Sequence, residues 1–209
     1  TAPAGDEEQE HLTKQTLKFF KLRNKHIDDL KWDGPVVCLT NLENFDEVLK
    51  RKTGITWVYK EQLYTFGDNI NRDPRGHVIA IAYYALVKAE NFLSQVDFTQ
   101  VDIVTIEQFR KLKIFYQHDE IVELALRRLK GKLGYTDIVK ELLPEKFRIS
   151  QMQKMYEIIL CKKIDKRNFQ KKIFSLKIIS ETGELDKTTN RPAKLYKFEN
   201  KRIKIIDML

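Results

Sequence analysis

At 209 residues, 42% of them apolar and 33% charged, the chain is long enough for one large domain or two small ones and has the make-up of a globular protein. No apolar run approaches the roughly 20 residues a membrane helix needs, and the acidic opening from Thr1 to Glu8 lacks the apolar centre of a signal peptide. Two cysteines, Cys38 and Cys161, argue against a disulfide framework or a cysteine zinc site, so a reducing, cytoplasmic setting with no membrane partner is expected. The net charge of +8 is unevenly placed: 17 of the 38 Lys/Arg but 7 of the 30 Asp/Glu follow Glu145, giving +10 there and −2 elsewhere. A concentrated cationic module points to a polyanion as partner.

In chain order, residues 1–14 read as a polar, flexible leader. Leu17 to Leu22 mixes aromatic and apolar residues with lysines and reads as a strand. Trp32 to Pro35 marks a turn, and Val36 to Leu39 a short buried strand. Phe45 to Lys52 reads as a short helix stopped at Thr53-Gly54, where glycine can take the left-handed conformation. Thr56 to Phe66 and Val78 to Val87 are rich in aromatic and β-branched residues and read as strands. The loop from Gly67 to Gly76 between them is built from Asp, Asn, Pro and Gly. Ile103 to Lys113 is expected to carry a strand and a short turn. His118 to Leu133 has one apolar stripe, Ile121, Val122, Ala125, Leu126, Leu129 and Leu133, with Gly131 and Gly134 expected to break its end. Tyr135 to Lys146 reads as a connecting helix running into Pro144. Ser150 to Cys161 follows as an amphipathic helix, with Ser150 and Gln153 as a capping box and Met152, Met155, Tyr156, Ile159 and Leu160 on one face. No internal repeat is found.

Lys162-Lys163-Ile164 is a short turn into a further helix, and two helices so joined make a helix-turn-helix. Asp165 suits its N-cap, because the carboxylate can accept from free N–H groups of the first turn. Phe169, Ile173 and Leu176 recur at helical spacing and can face a small core. The other face shows Lys166, Arg167, Asn168, Gln170, Lys171, Lys172 and Ser175: cations for phosphates, amides for base edges, and no acid. Asn168 has the competing role of supporting the cap. Beyond Leu176 come Ile178-Ile179, a polar loop bearing Gly183, and a strand ending in Leu195 to Phe198. Helix, strand, loop, strand is the order of a winged helix. The wing from Glu184 to Arg191 would then touch the backbone or minor groove through Lys187, Asn190 and Arg191, with Lys194 on the same strand pair. The bland alternative is a solvated basic face on an ordinary helix.

Several of these segments also carry a family likeness. Asn71 to His77 with the strand Val78 to Val87 resembles the Nudix-like half of the Nudix-related transcriptional regulators of NrtR type. Leu142 to Phe147, Asp165 to Phe169, Thr182 to Glu184 and Arg191 to Tyr196 resemble that family's C-terminal winged helix. His118 to Ile121 opens a helix where the family has one, and the matching runs roughly from Gly54 to Phe198. The resemblance implies an α+β architecture: a Nudix-like α/β sandwich, whole or truncated, followed by a winged helix-turn-helix. The expected division is a leader over 1–14, a Nudix-like sensing and dimerisation domain over 15–140 and a DNA-binding winged helix over 141–209. It further implies a homodimeric repressor of NAD-metabolism genes, released by an ADP-ribose-like nucleotide or, as in some relatives, a sugar.

A Nudix hydrolase seats Mg²⁺ on helix glutamates in the pattern G-x5-E-x7-R-E-U-x-E-E-x-G-U, since hard cations take oxygen ligands. Anchoring the end of that pattern on Gly54-Ile55 puts Arg51 and Lys52 at the paired-glutamate positions. Glu47 and Val48 fall on the arginine-glutamate pair, and Leu39 and Asp33 on the upstream Glu and Gly. Two cations in place of ligands would repel the metal, so neither catalytic residue, metal nor cofactor is expected. Glu43 and Glu47, four apart, are the one acidic pair left there, and they read as a solvated face. The four histidines, His11, His26, His77 and His118, have no metal spacing.

Arg72 and Arg75, on a polar loop beside a buried strand, can hold an effector phosphate bidentately or brace the loop by pairing with Asp68 and Asp73. Tyr83 and Tyr84 read as core and interface. The expected partner is a palindromic double-stranded DNA operator, each half-site taking one recognition helix in its major groove. Two other classes remain open: an active pyrophosphohydrolase of ADP-ribose-like substrates, and a Nudix-like interaction module whose basic tail binds RNA.

Overall fold

The structure, a computed structural model, describes residues 45–56, 58–70, 79–88, 104–112, 118–188 and 192–208. The leader and early strands, the loop carrying Arg72 and Arg75, and Asn190 and Arg191 lie outside the described residues, as do Cys38, Glu43, His11, His26 and His77. The first described element is helix α1 (Phe45–Thr53). Gly54 ends it with φ +78°, a conformation glycine adopts without steric penalty. Strands β1 (Tyr59–Phe66) and β2 (Ala80–Leu86) pair antiparallel from Tyr59↔Leu86 to Phe66↔Ala80, with a register shift between Gln62 and Tyr64. Residues 104–112 hold only the short helix α2 (Ile106–Phe109) and a turn. Its start is fixed because Thr105 and Gln108 satisfy each other's backbone N–H through their side chains.

Helix α3 (His118–Tyr135) buries Ile121, Val122, Ala125, Leu129 and Leu133, the expected stripe with Leu126 at its margin. It runs through both glycines that were expected to end it. Leu129 and Leu133, 1% and 0% exposed, hold the last turns by packing, which outweighs the roughly 1 kcal/mol that a helical glycine costs. Between α3 and the hairpin lies a polar cluster centred on Glu61. Its carboxylate accepts from Tyr59 Oη at 2.5 Å and Tyr84 Oη at 3.1 Å, and pairs with Lys132 Nζ at 2.5 Å and Arg128 Nη1 at 3.4 Å. Burial alone would push Glu61 up, but hydrogen bonds from Lys132 and Tyr59 outweigh it and hold the carboxyl below its ordinary 4.5. Tyr84 is fully buried, as a core residue should be.

The connecting helix expected over Tyr135 to Lys146 is instead a 3₁₀ turn, Ile138–Leu142, ending before Pro144. The closing segment straps this junction. Met208 N–H donates to Gly134 O at 3.0 Å, Ile206 N–H to Tyr135 O at 2.9 Å, and Asp137 N–H to Lys204 O at 3.1 Å. Inside it, Asp137 and Lys140 form a buried ion pair at 3.0 Å. Lys140 Nζ also donates to Asn200 O and Arg202 O, and Asp137 Oδ1 accepts from Lys204 N–H at 2.7 Å. These contacts replace the water that two buried charges lose. One apolar core continues from Leu63, Ala82 and Tyr84 through Leu129 and Leu133 to Phe147, Met152, Tyr156, Phe169 and Ile173.

Candidate nucleic-acid interface

Helix α4 (Ile149–Leu160) starts one residue before Ser150, so the expected Ser150–Gln153 capping box is not what opens it. Gln151 Oε1 reaches back to accept from Arg148 N–H at 2.8 Å. Arg148 can accept nothing in return, having only donors. The buried face is the expected one, Met152, Met155, Tyr156 and Ile159, with Leu160 half-buried. Cys161 closes the helix in the left-handed conformation, φ +54°, and the chain turns.

Gln153 and Glu157 have a different task, at that turn. Gln153 Nε2 donates to Ile164 O at 2.9 Å, and Glu157 Oε1 accepts from Ile164 N–H at 3.0 Å and from Gln153 Nε2 at 3.3 Å. The Ile164 N–H, with help from Gln153 and Lys163, holds the Glu157 carboxyl below its ordinary value.

Asp165 caps helix α5 (Lys166–Ser175), its Oδ1 accepting from Asn168 N–H at 2.8 Å. Asn168 thus supports the cap through its backbone while its side chain stays exposed. Phe169 and Ile173 are buried, Phe169 edge-on to Tyr156 with ring centroids 5.4 Å apart. Arg167, Asn168 and Lys171 are exposed on the opposite face, Lys166 is exposed in the first turn on the side of Ile173, and Gln170 and Lys172 are half-buried at the edges. Lys172 Nζ donates to Asp207 Oδ2 at 3.3 Å, so that cation is tied to the closing segment.

Strands β3 (Ile179–Asp186) and β4 (Ala193–Phe198) form the wing. Tyr196 and Phe147 exchange both backbone hydrogen bonds, at 2.8 and 2.9 Å, which adds a third chain to the far edge of β4. Thr182-Gly183-Glu184, expected as the loop, belongs to β3. It forms a bulge between the pairs Glu181↔Tyr196 and Leu185↔Lys194, with Gly183 at φ +79° and Thr182 Oγ1 donating to Leu195 O at 3.0 Å. The wing tip therefore starts at Lys187, which is exposed. Just before it, Asp186 Oδ1 accepts from Thr188 Oγ1 at 2.7 Å and from Thr188 N–H at 2.8 Å. Those bonds, aided by Arg148, hold its carboxyl low. Arg148 Nε lies 3.3 Å from Asp186 Oδ2, near enough for an ion pair though not aligned as a hydrogen bond.

Lys194 does not stand clear: Glu181 Oε2 accepts from its Nζ at 2.9 Å and raises its pKa. Lys146 pairs likewise with Glu184 at 2.5 Å. The residues themselves pointed to the cations but not to these partners, although Glu181, Glu184 and Asp186 all fall within one short stretch of strand. It also missed Asp207 and the Asp137–Lys140 pair.

The order α4, turn, α5, β3, β4 over one small core is that of a winged helix. Residues 139–198 match the NrtR DNA-binding winged helix domain. The closing third of the chain thus carries a winged helix of the NrtR type. A relative from Acinetobacter baylyi, described as an ADPR responsive transcriptional repressor NtrR, is 34% identical over 151 residues, which cover 72% of this chain and 60% of the relative. The chain thus spans less than two thirds of that relative's length. The crystal structure of Shewanella oneidensis NrtR superposes with a TM-score of 0.66 at 28% identity, covering 74% of this chain and 70% of that one. The same protein complexed with a 27mer DNA gives 0.66 at 27% identity over the same shares. The likeness to NrtR-type regulators read from the residues is borne out, and the winged helix with it, while the segment Asn71 to His77 that suggested a Nudix-like half lies outside the described residues.

Proposed function

We propose that this NrtR-family protein is a transcriptional repressor that binds a double-stranded DNA operator through α5 and the wing and lets go in response to an ADP-ribose-like nucleotide. The observation that carries the reading is the exposed surface of α5, with Lys166, Arg167, Asn168 and Lys171 and no acid on the helix. Lys166, Arg167, Gln170 and Lys171 meet bases and phosphates in the major groove, while Lys187, Asn190 and Arg191 meet the adjacent backbone. Support comes from a related protein having been crystallised with a 27mer DNA and from the ADP-ribose response named for another.

On this reading the chain is a cytoplasmic homodimer, residues 15–140 form a Nudix-like sensing domain, and 141–209 read the DNA. Arg72 and Arg75 hold the effector's phosphates. No hydrolysis is expected, because Arg51 stands on α1 where the Nudix pattern needs a ligand carboxylate. The test is selection of bound duplexes from a random pool, then anisotropy titration of the winner with ADP-ribose, NAD or simple sugars added. A palindromic winner released by ADP-ribose supports the reading. Preference for single strands would place the protein in the RNA-binding class instead, and turnover of ADP-ribose with Mg²⁺ would make it an enzyme.

A further inference from the structure

The turn of the helix-turn-helix is held by more than its own backbone. Ile164, the residue just before the cap, has its N–H bonded to Glu157 and its C=O bonded to Gln153. The two side chains also touch each other at 3.3 Å, closing a triangle. Both stand one turn apart on α4, half-buried beside the face that Met152, Tyr156 and Ile159 anchor in the core. The side chain of Ile164 packs on that core as well. One residue is thereby fixed by its side chain and by both backbone polar groups, immediately before Asp165 starts the recognition helix. Hydrogen bonds are directional where apolar packing is not, and a base-reading side chain tolerates misplacement of only about half an ångström.

We propose that Gln153 and Glu157 are positioning residues for DNA reading: together they latch Ile164 and so set the angle and register at which α5 enters the groove. Neither side chain touches DNA in this arrangement. The proposal rests on the reading of α5 as the recognition helix. It predicts that loosening the latch lowers the ratio of sequence-specific to sequence-independent binding, since no cation is removed; the Glu157 variants also free Lys163, 3.5 Å from that carboxylate, and so raise affinity for every duplex alike.

The experiment uses the full chain and two probes: the tightest duplex recovered from a random pool, and a scrambled duplex of the same length and composition. Gln153→Ala should weaken the selected duplex by about tenfold, the loss of one well-formed base contact, with the scrambled duplex within about twofold; Glu157→Ala should lower the ratio of selected to scrambled affinity by a similar factor while the scrambled duplex binds more tightly. Glu157→Gln keeps an Oε1 acceptor for the Ile164 N–H and should restore most of the difference. Thermal unfolding of each variant checks that it is folded, and Gln153→Ala carries the test if Glu157→Ala is not. An unchanged ratio of selected to scrambled affinity in folded Gln153→Ala overturns the latch while leaving the DNA reading intact. A wild-type chain that binds no duplex overturns both.

Discussion

The salt dependence of DNA binding can be worked out from which cations are free to meet phosphates. Lys166, Arg167, Lys171 and Lys187 are exposed and have no acidic partner among the described residues, whereas Lys172 and Lys194 lie 3.3 and 2.9 Å from the carboxylates of Asp207 and Glu181. If each of these four neutralises one phosphate, a dimer makes at least about eight contacts before Arg191 is counted, and log Kobs should fall against log[salt] with a slope of about −7 or steeper. Between 50 and 200 mM salt that is a loss of about ten-thousand-fold in affinity. Lys171→Ala should flatten the slope by about 2 in the dimer and weaken all sequences alike, while Arg167→Ala should also relax sequence preference. Glu181→Gln releases Lys194 and should steepen the slope by a similar amount. The assay is fluorescence anisotropy of the selected duplex at five or more salt concentrations. A slope flatter than about −4, or one that Lys171→Ala leaves untouched, would refute the docking of α5 and the wing.

Three further outcomes are expected. Asp165→Ala should lower stability by about 1 kcal/mol, or about 2–4 °C in Tm, through loss of the cap to Asn168, whereas Asp165→Asn should keep the cap and tighten DNA binding by removing a negative charge. Equal Tm losses for the two variants in a circular-dichroism melt would contradict this. Glu61 has a folded pKa below its ordinary 4.5, so its contribution to stability is present above that value and is lost as pH falls through the folded pKa. Glu61→Gln should therefore show a smaller drop in urea midpoint between pH 5 and pH 3 than the wild type, and an identical drop would count against the cluster. Lys140→Met should cost about 3 kcal/mol, because it leaves Asp137 buried without its partner. Adding Asp137→Asn should recover part of that, and a second change that only deepens the loss would show the pair is not the main term.

What could be read from the sequence was what local chemistry fixes. Asp165 as N-cap, the Phe169/Ile173 face and Gly54 as a helix end all depend on residues within one turn, and each is found. The misplacements have the same root, since tertiary contacts overrode the local signal. Ser150 is the better cap by type, yet α4 begins at Ile149 because Ile149 is buried and Gln151 satisfies Arg148 N–H. Gly183 reads as a loop residue, yet it sits in a bulge that keeps β3 paired beyond it. The Nudix-pattern alignment put Arg51 and Lys52 on a helix ending at Gly54, and that helix is present as α1. Nothing within a short window announces that Asn200 to Met208 returns to the end of α3 and the 3₁₀ turn, because those bonds join residues 60 to 74 positions apart.

Helix α5 also divides affinity and orientation between different residues. It buries two side chains, Phe169 and Ile173, each worth about 1.5–3 kcal/mol. That attaches the helix but leaves it free to roll about the line joining them, because burial of apolar area is indifferent to direction. The directional contacts sit at its ends: Asp165 on Asn168 N–H and the Gln153–Glu157 pair on Ile164 at the start, and Asp207 on Lys172 near the finish. The last of these is exposed on the Asp207 side and screened, so it contributes little. Orientation is therefore settled at the N-terminal end, which is the end carrying Lys166 and Arg167. Substitutions on the exposed face should change how tightly DNA is held, and substitutions in the turn should change which DNA is held.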